Sequence, residues 1–245
     1  MKKELQIFRL CILVGVFLLN DVYAQELPKV MVFSKTEGYR HQSIEDGIKS
    51  IVNLGKENQF LVQATEDANE LISELNDCKV VVFLSTTGDV LNDSQQEKFK
   101  KFINNGGGFV GVHAAADTEY KWPWYGKMVG AYFESHPKQQ EAVIEIINNK
   151  HPSTYFLEEK WIKFDEWYNY KDISLDIKVL MNLDEKSYTG GKNGENHPIA
   201  WYHEYKGGKI FYTGLGHTKE SYSDATFLKH LLGGIQYALG KSELD

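Results

Sequence analysis

The chain has 245 residues, of which 42% are hydrophobic and 25% charged, and its formal net charge at pH 7 is −7. This composition is that of a globular protein, and it excludes a disordered, collagen-like or multi-span membrane chain. Affinity for nucleic acid comes from basic residues that neutralise phosphates, so an acidic chain without a cluster of Lys and Arg is not expected to bind it.

The first 24 residues have the pattern of a secretory signal peptide. A basic segment precedes an apolar run from Leu10 to Leu19, and Val22–Ala24 matches a small-x-small cleavage site. The apolar run is too short to cross a bilayer as a helix, which needs about 20 residues. Cleavage after Ala24 predicts a secreted or periplasmic protein without an integral membrane span, and a retained N-terminal anchor is the alternative. Residues 25–245 are expected to form a single domain.

Strands and helices alternate over the first ninety residues that follow the leader. Four short runs predict strands: Lys29–Phe33, Phe60–Thr65, Val80–Leu84 and Gly108–Val112, the first of them a buried parallel strand. Helices are predicted between them, with capping boxes of Ser43 with Asp46 and of Ser94 with Glu97. This order predicts a doubly wound, mostly parallel α/β sheet of the flavodoxin-like kind.

The second half of the chain carries most of the aromatic residues. Of the 32 Phe, Tyr and Trp residues, 20 lie between Tyr120 and Tyr222. The pattern from Tyr120 to about Asn196 is irregular and predicts an aromatic-rich insertion. Further extended runs are predicted at Glu141–Ile147, Ile177–Leu183, Pro198–Tyr205 and Lys209–Thr213. A final helix is predicted from a cap at Ser223 or Asp224 to a stop at Gly240.

The run Gly106–Gly111 has the G-x-G-x-x-G spacing of dinucleotide-binding proteins. That fingerprint requires glycines that follow a strand and open a helix, whereas these end a predicted helix and lead into a strand. We interpret them as a helix stop and a turn. No organic cofactor is predicted.

Histidines follow three of the predicted strands, at the carboxyl ends where ligands bind in doubly wound sheets. His41 follows the first strand, His113 the fourth and His217 the last. Because imidazoles titrate near neutrality and serve as acid, base or metal ligand, the three predict a common site. No H-x-x-x-H spacing is present, so a divalent metal ion would take its ligands from separate loops, and this alternative stays open.

Several separated motifs of this sequence occur together, in the same order, in one protein family. They are Asp93–Thr118, the Trp122–Trp124 loop, Tyr132–Pro137, Asp165–Tyr168 and Tyr212–Thr218. From about Lys29 to Gly240 the chain resembles the ThuA-like (trehalose utilisation) family. The resemblance implies a fold similar to the class I glutamine amidotransferases and a role in the catabolism of disaccharides or related sugars.

The resemblance also implies a changed active site. In the amidotransferases a nucleophilic cysteine occupies a sharp strand-to-helix turn, and the matching stretch here, Gly111–Ala115, has His113 in its place. No Ser or Cys stands beside it, so thioester chemistry is excluded at this position and the protein is not expected to be a glutamine amidotransferase. His217 matches the general-base histidine of that superfamily, but Lys219 stands where a glutamate would orient it.

The leading hypothesis is acid–base catalysis on a disaccharide, a glycoside or an oxidised sugar derivative, by a hydrolase, lyase or isomerase. His113 and His217 are the predicted proton-transfer groups, and Asp117 and Glu166 are predicted to orient or assist them. The residues predicted to bind the hydroxyls or ring faces of the small-molecule carbohydrate are Tyr39, His41, Thr86, Asp89, Trp124 and His136. Trp124 is chosen because it lies with Trp122 and Tyr125 in a Pro-containing loop.

Two alternatives stay open. One is a non-catalytic carbohydrate-binding module that kept the amidotransferase-like scaffold after losing its nucleophile. The other is a metal-dependent hydrolase or lyase that uses His41, His113 and His217. Every one-site hypothesis requires that these histidines and Glu166 share one cleft.

Overall fold

The computed structural model describes residues 26–241, so the predicted leader lies outside the described residues. The strands are β1 (Lys29–Phe33), β2 (Leu61–Thr65), β3 (Cys78–Leu84), β4 (Gly108–Val112), β5 (Tyr132–Ser135), β6 (Gln140–Ile146), β7 (Lys160–Asp165), β8 (Asn169–Lys171), β9 (Lys178–Leu183), β10 (Pro198–Tyr205) and β11 (Gly208–Thr213). The helices are α1 (Ile44–Glu57), α2 (Ala68–Glu74), α3 (Asp93–Asn104), α4 (Pro123–Val129) and α5 (Ala225–Ala238). Within residues 26–241, no helix has the length and hydrophobicity needed to cross a membrane.

Nine strands form one sheet in the order β2-β1-β3-β4-β11-β10-β9-β6-β7, and β5 pairs with β8 in a separate ribbon. The first five strands of this order, β2, β1, β3, β4 and β11, are parallel to one another. With β11 as the fifth strand, they have the 2-1-3-4-5 order of flavodoxin-like sheets. The remaining neighbours pair antiparallel. Because the direction reverses four times between β11 and β7, the carboxyl end of β7 lies at the same edge as those of β1, β4 and β11.

Helices cover both faces of the parallel part of the sheet. The crossovers through α1 and α3 run in opposite directions along the sheet, and right-handed connections then place the two helices on opposite faces. α5 packs with α1, and α2 packs with α3. The predicted doubly wound α/β architecture, with its aromatic-rich insertion, is confirmed.

The central strands are buried and support the edge where chemistry is expected. Every residue of β4 is buried, and in β3 only Lys79 is exposed. The Phe83 ring lies 5.1 Å from the Phe33 ring and 5.3 Å from the Phe109 ring. Burial of one such side chain stabilises the fold by roughly 1.5–3 kcal/mol, so the strand ends are held on a well-packed core.

Two helix starts differ in detail from the prediction. Ser43 precedes α1 but makes no cap bond, and its hydroxyl instead donates to the carbonyl oxygen of Gly216 at 3.2 Å. The capping box of α3 is formed by Asn92 and Gln95 rather than by the predicted Ser94 and Glu97. Asn92 has the extended backbone that an N-cap requires, so the helix begins two residues earlier.

The glycine run lies where a helix ends and a strand begins, as predicted. Gly106, with φ +93°, follows α3, and Gly108 opens β4. A Cβ at Gly108 would lie 2.3 Å from the carbonyl oxygen of Ala238, so this glycine allows the end of α5 to approach the sheet. The glycines therefore serve helix termination and packing.

Candidate functional site

Four side chains converge at the carboxyl edge of the sheet. His41 lies in the loop after β1, His113 directly after β4, Glu166 directly after β7 and His217 in the loop after β11. One ligand atom of each residue lies within 4.8 Å of those of the other three. We refer to these four residues as the His–Glu cluster. The condition that they share one place in the fold is met.

His113 occupies a sharp turn at the end of β4. Its φ is +50°, in the left-handed region, which costs a non-glycine residue about 1–2 kcal/mol. Its Nδ1 lies 2.9 Å from the carbonyl oxygen of Gly214. Because a carbonyl only accepts, Nδ1 carries the proton whenever the imidazole is neutral, and Nε2 faces the cluster.

Glu166 contacts two histidines of the cluster. Its Oε2 lies 3.1 Å from His217 Nδ1 and 3.6 Å from His113 Nε2, and these two nitrogens are 3.0 Å apart. Burial alone would raise the pKa of Glu166, but the contacts with His113 and His217 outweigh it and hold the pKa below its ordinary value. Glu166 is therefore a carboxylate at neutral pH. Directly after β7, it places a carboxylate beside His217, the group that Lys219 cannot offer.

His41 is only 4% exposed, and its ring meets the rings of His113 and His217 edge-on at centroid distances of 4.9 and 5.1 Å. Burial lowers the pKa of His41 to about 2, and the nearby His113 and His217 contribute in the same direction. The imidazole is therefore neutral at working pH. Among the residues described, nothing hydrogen-bonds to its buried Nδ1, an exception that calls for an explanation.

Asp165 holds the backbone of two cluster residues, and sequence reasoning assigned it no role. One carboxylate oxygen accepts from the N–H groups of Glu166 and His217 at 2.9 and 3.1 Å. The other accepts from the N–H of Gly216 at 3.0 Å and from the hydroxyl of Ser221 at 3.2 Å. The sequence did contain a signal for this role, since Asp165 and Glu166 are consecutive carboxylates at the end of a strand. Successive residues of a strand point to opposite faces, so only one of the two could face the cluster.

Three further side chains lie beside the cluster. His136 Nδ1 is 3.2 Å from Glu166 Oε1, and the ring of Tyr39, which is 63% exposed, lies 4.9 Å from that of His41. Gln139 Nε2 is 2.6 Å from His217 Nε2. His136 and Tyr39 were predicted from the sequence, whereas Gln139 was not.

Asp117 lies outside the cluster, at the end of the short 3-10 helix that begins at His113. Burial raises the pKa of Asp117, while a hydrogen bond from the Tyr120 hydroxyl at 2.7 Å and the nearby His113 and His136 oppose that rise. It is therefore a partly buried carboxylate within electrostatic reach of His113.

Two residues predicted to bind substrate have other partners. Thr86 is fully buried, and its hydroxyl lies 2.9 Å from that of Thr118, which fits a role in loop packing. Asp89 forms an ion pair with exposed Lys121 at 2.7 Å. Within the described chain, neither side chain forms a hydrogen bond or an ion pair with a cluster residue.

The segment around Trp124 differs from the predicted Pro-containing loop, and its role as a platform for the sugar ring stays a prediction. Pro123 opens α4, because its fixed φ suits the first helical position, and the segment is therefore not a loop. The Trp124 ring packs against Tyr205, which pairs with Gly208 at the amino-terminal end of β11. That end is the edge of the sheet opposite the cluster. Tyr125 is fully buried.

Sheet order and site together define a flavodoxin-like, amidotransferase-like protein in which a histidine stands at the turn after β4. The model of one family, ThuA, described as trehalose utilisation, matches residues 29–238. The chain belongs to the ThuA family.

Several solved structures share the fold. A ThuA-like protein from Bacteroides uniformis has 23% identity and a TM-score of 0.75, over 90% of this chain and 95% of that one. A second, from Parabacteroides merdae, has 20% identity and a TM-score of 0.73, over 89% and 92%. A β-galactosidase from Bacillus circulans sp. alkalophilus aligns over 87% of this chain but 31% of its own, with 16% identity and a TM-score of 0.59. Among curated proteins, none matches the sequence.

Proposed function

We propose that the protein is an enzyme of sugar metabolism that acts on a disaccharide, a glycoside or an oxidised sugar derivative at the His–Glu cluster. The family, described as trehalose utilisation, supports a sugar as the substrate class. The convergence of three imidazoles and a carboxylate from four separate segments carries the catalytic part of the proposal. Burial of polar groups costs free energy, and such groups collect where chemistry requires them.

The proposed proton-transfer groups are His113 and His217. The bond between His113 Nδ1 and Gly214 leaves the other ring nitrogen, Nε2, facing the cluster, where it can act as a base. Glu166 faces both imidazoles and would stabilise the positive charge of either one after it takes up a proton. Hydrolysis, elimination and isomerisation each need one group that takes a proton and one that gives it. Asp117 is proposed to assist them.

The sugar is proposed to lie over the exposed side of the cluster, against Tyr39 and His136. The exposed ring of Tyr39 offers an apolar face beside His41, and His136 offers a polar nitrogen beside Glu166. An aromatic face packs against the C–H face of a sugar ring while polar groups hydrogen-bond to its hydroxyls.

Turnover assays on trehalose, other disaccharides, glycosides and their oxidised derivatives test the proposal, with products identified by NMR. The variants His113→Ala and His217→Ala are expected to lose activity by about 10²–10⁴-fold, the usual contribution of a general acid or base. The matched control is Glu185→Gln, which alters a contact of 2.8 Å between His197 and Glu185 elsewhere in the fold. Full activity in both histidine variants would contradict the assignment.

The replacement of the amidotransferase nucleophile by His113 favours one second candidate, a carbohydrate-binding module without catalysis. Calorimetry with the same sugars, followed by product analysis, separates the two functions. Binding without any change in the sugar would support the module and contradict the enzyme.

We also propose that the protein is exported and that its leader is removed after Ala24. The support is the basic and apolar pattern of residues 1–24. Intact mass measurement of the protein from cell fractions is expected to show a chain that begins at Gln25. A full-length chain in the membrane fraction would instead indicate a retained anchor.

A further inference from the structure

We propose that the His–Glu cluster binds one divalent first-row transition-metal ion, with His41, His113, Glu166 and His217 as its ligands. The inference deepens the proposed function and rests on it where it places the ion at the reacting centre. Binding of the ion, however, can be measured without any substrate.

The spacing of the ligand atoms fits a shared ion. His113 Nε2, His217 Nδ1 and Glu166 Oε2 are separated by 3.0, 3.1 and 3.6 Å. Nitrogen and oxygen ligands at 2.0–2.1 Å from a tetrahedral ion lie about 3.3 Å from one another. Two of the three separations are shorter than this distance and one is longer. A small cation can therefore contact all three atoms with little movement of the side chains.

Hydrogen bonds alone satisfy these atoms incompletely. In the neutral form of His113 the Nδ1 proton is used by the carbonyl of Gly214, so Nε2 can then only accept. The proton on His217 Nδ1 would then serve two acceptors at once, His113 Nε2 and Glu166 Oε2. A cation satisfies both lone pairs and the carboxylate together.

His41 supplies the fourth ligand. It is almost completely buried, it contributes a ring nitrogen to the same 4.8 Å group, and no described residue competes for its Nδ1. An imidazole without hydrogen-bond partners is costly in a protein interior unless something else uses its nitrogen. Coordination of an ion accounts for its position against the other two histidines.

The outer partners of the ligands are those that a metal site requires. Metal-binding histidines usually donate their second ring N–H to a carbonyl or carboxylate, and His113 does so to Gly214. The second nitrogen of His217 faces the side-chain amide of Gln139, whose oxygen can accept from it after a half-turn of the amide. The second oxygen of Glu166 faces His136.

The ligand set selects the class of ion. Three imidazole nitrogens and one carboxylate suit Zn²⁺ and its first-row neighbours, whereas Ca²⁺ and Mg²⁺ prefer ligands that are all oxygen. Since four protein ligands fill a tetrahedral ion, it would need a fifth coordination position, where it would polarise a carbonyl or hydroxyl oxygen of the substrate or lower the pKa of a bound water. With the ion bound, His113 and His217 would serve as ligands, and their alanine variants would lose activity because they lose the ion.

The test begins with the purified protein without its leader, residues 25–245. Its metal content is measured by mass spectrometry, the metal is removed with a chelator, and Zn²⁺, Mn²⁺ and Co²⁺ are titrated back by calorimetry. We expect about one ion per chain and, for Co²⁺, a visible absorption band. The variants His113→Ala and Glu166→Gln are expected to bind at least 100-fold more weakly. Glu185→Gln is the control that keeps the affinity, and circular dichroism checks that each variant is folded.

The outcomes separate this inference from the proposed function. Failure of the folded wild-type protein to bind any of the three ions at micromolar concentration would overturn the metal site. Sugar turnover that is unchanged in such a metal-free protein would overturn the site and leave the function standing. Stoichiometric binding that Glu166→Gln weakens, without turnover of any sugar, would support the site and contradict the function.

Discussion

Asp165 is a fully buried carboxylate that is satisfied by main-chain N–H groups and a hydroxyl rather than by a cation. Through these bonds it joins the end of β7 to the loop after β11. The positions of Glu166 and His217 therefore depend on a residue that touches neither of their side chains. Asp165 is a positioning residue of the site.

The substitution Asp165→Asn is expected to destabilise the protein by about 1–3 kcal/mol. The new amide NH₂ replaces an acceptor oxygen and faces N–H groups, so at least one buried donor loses its partner. Urea unfolding measures the effect, and Asp184→Asn is the control, since the side chain of Asp184 is partly exposed and accepts locally from the N–H of Lys186. If Asp165→Asn were as stable as the control, the anchoring role would be wrong.

The backbone of His113 gives a prediction that is independent of its imidazole. At φ +50° an alanine keeps the strain of a left-handed residue, whereas a glycine is free of it. We expect His113→Gly to be more stable to urea than His113→Ala by roughly 0.5–1 kcal/mol. This value is the relief of backbone strain minus the larger entropy that glycine loses on folding. A more stable alanine variant would show that the turn relaxes once the imidazole is gone.

At the scale of elements, sequence reasoning predicted the parallel half of the sheet and the three histidines at its edge. The central strands β1, β3 and β4 are buried apolar runs, and a histidine directly follows β4, where its place at the edge follows from strand direction alone. The antiparallel half was predicted only as extended runs. Its strand order depends on tertiary pairing, so the return of β7 to the same edge had no local signal.

The helix at Trp124, where the sequence predicted a loop, has a related cause. A proline beside two tryptophans is typical of a loop, but the same residue also opens helices, and here α4 follows it. Which edge of the sheet a helix faces is fixed by the path of the chain. Residue type alone therefore predicted a loop at Trp124 where the fold has a helix.

The N-terminus of α3 offers an element-scale prediction. Asn92 caps the helix and exchanges hydrogen bonds with Gln95, whereas the Ser94 hydroxyl donates to the exposed side chain of Asn92. Asn92→Ala is expected to lower the free energy of unfolding by about 1 kcal/mol. Ser94→Ala, the matched control within the first turn, is expected to change it by less than about 0.5 kcal/mol. Equal losses of stability in the two variants would contradict the assignment of Asn92 as the N-cap.

At the scale of the whole molecule, buried histidines couple stability to pH far from the cluster. Burial lowers the pKa of His151 to about 3 and that of His230 to about 4. His230 lies fully buried in α5, where Nδ1 faces the carbonyl oxygen of Ser153 at 2.9 Å. Both imidazoles are therefore neutral in the folded protein at pH 5.

Acid is expected to destabilise the protein in part through these two groups, alongside His41. Below about pH 6.5 the unfolded chain takes up protons that the folded chain cannot, so stability falls as the pH falls, by about 1.4 kcal/mol per pH unit for each histidine. Urea titrations between pH 7 and 4.5 measure this slope. His230→Gln is expected to reduce it, whatever its effect at pH 7, and a stability that is constant from pH 7 to 5 would contradict the assignment.

The cluster is shared between the two halves of the chain. The segment up to Gln139 carries His41 and His113, and the segment that begins with β6 carries Glu166 and His217. A cut in the exposed stretch before β6 would leave two fragments, each with half of the residues that the chemistry needs. Reassociation of such fragments would restore the site as well as the sheet, so recovered binding reports directly that the halves have joined in the native register.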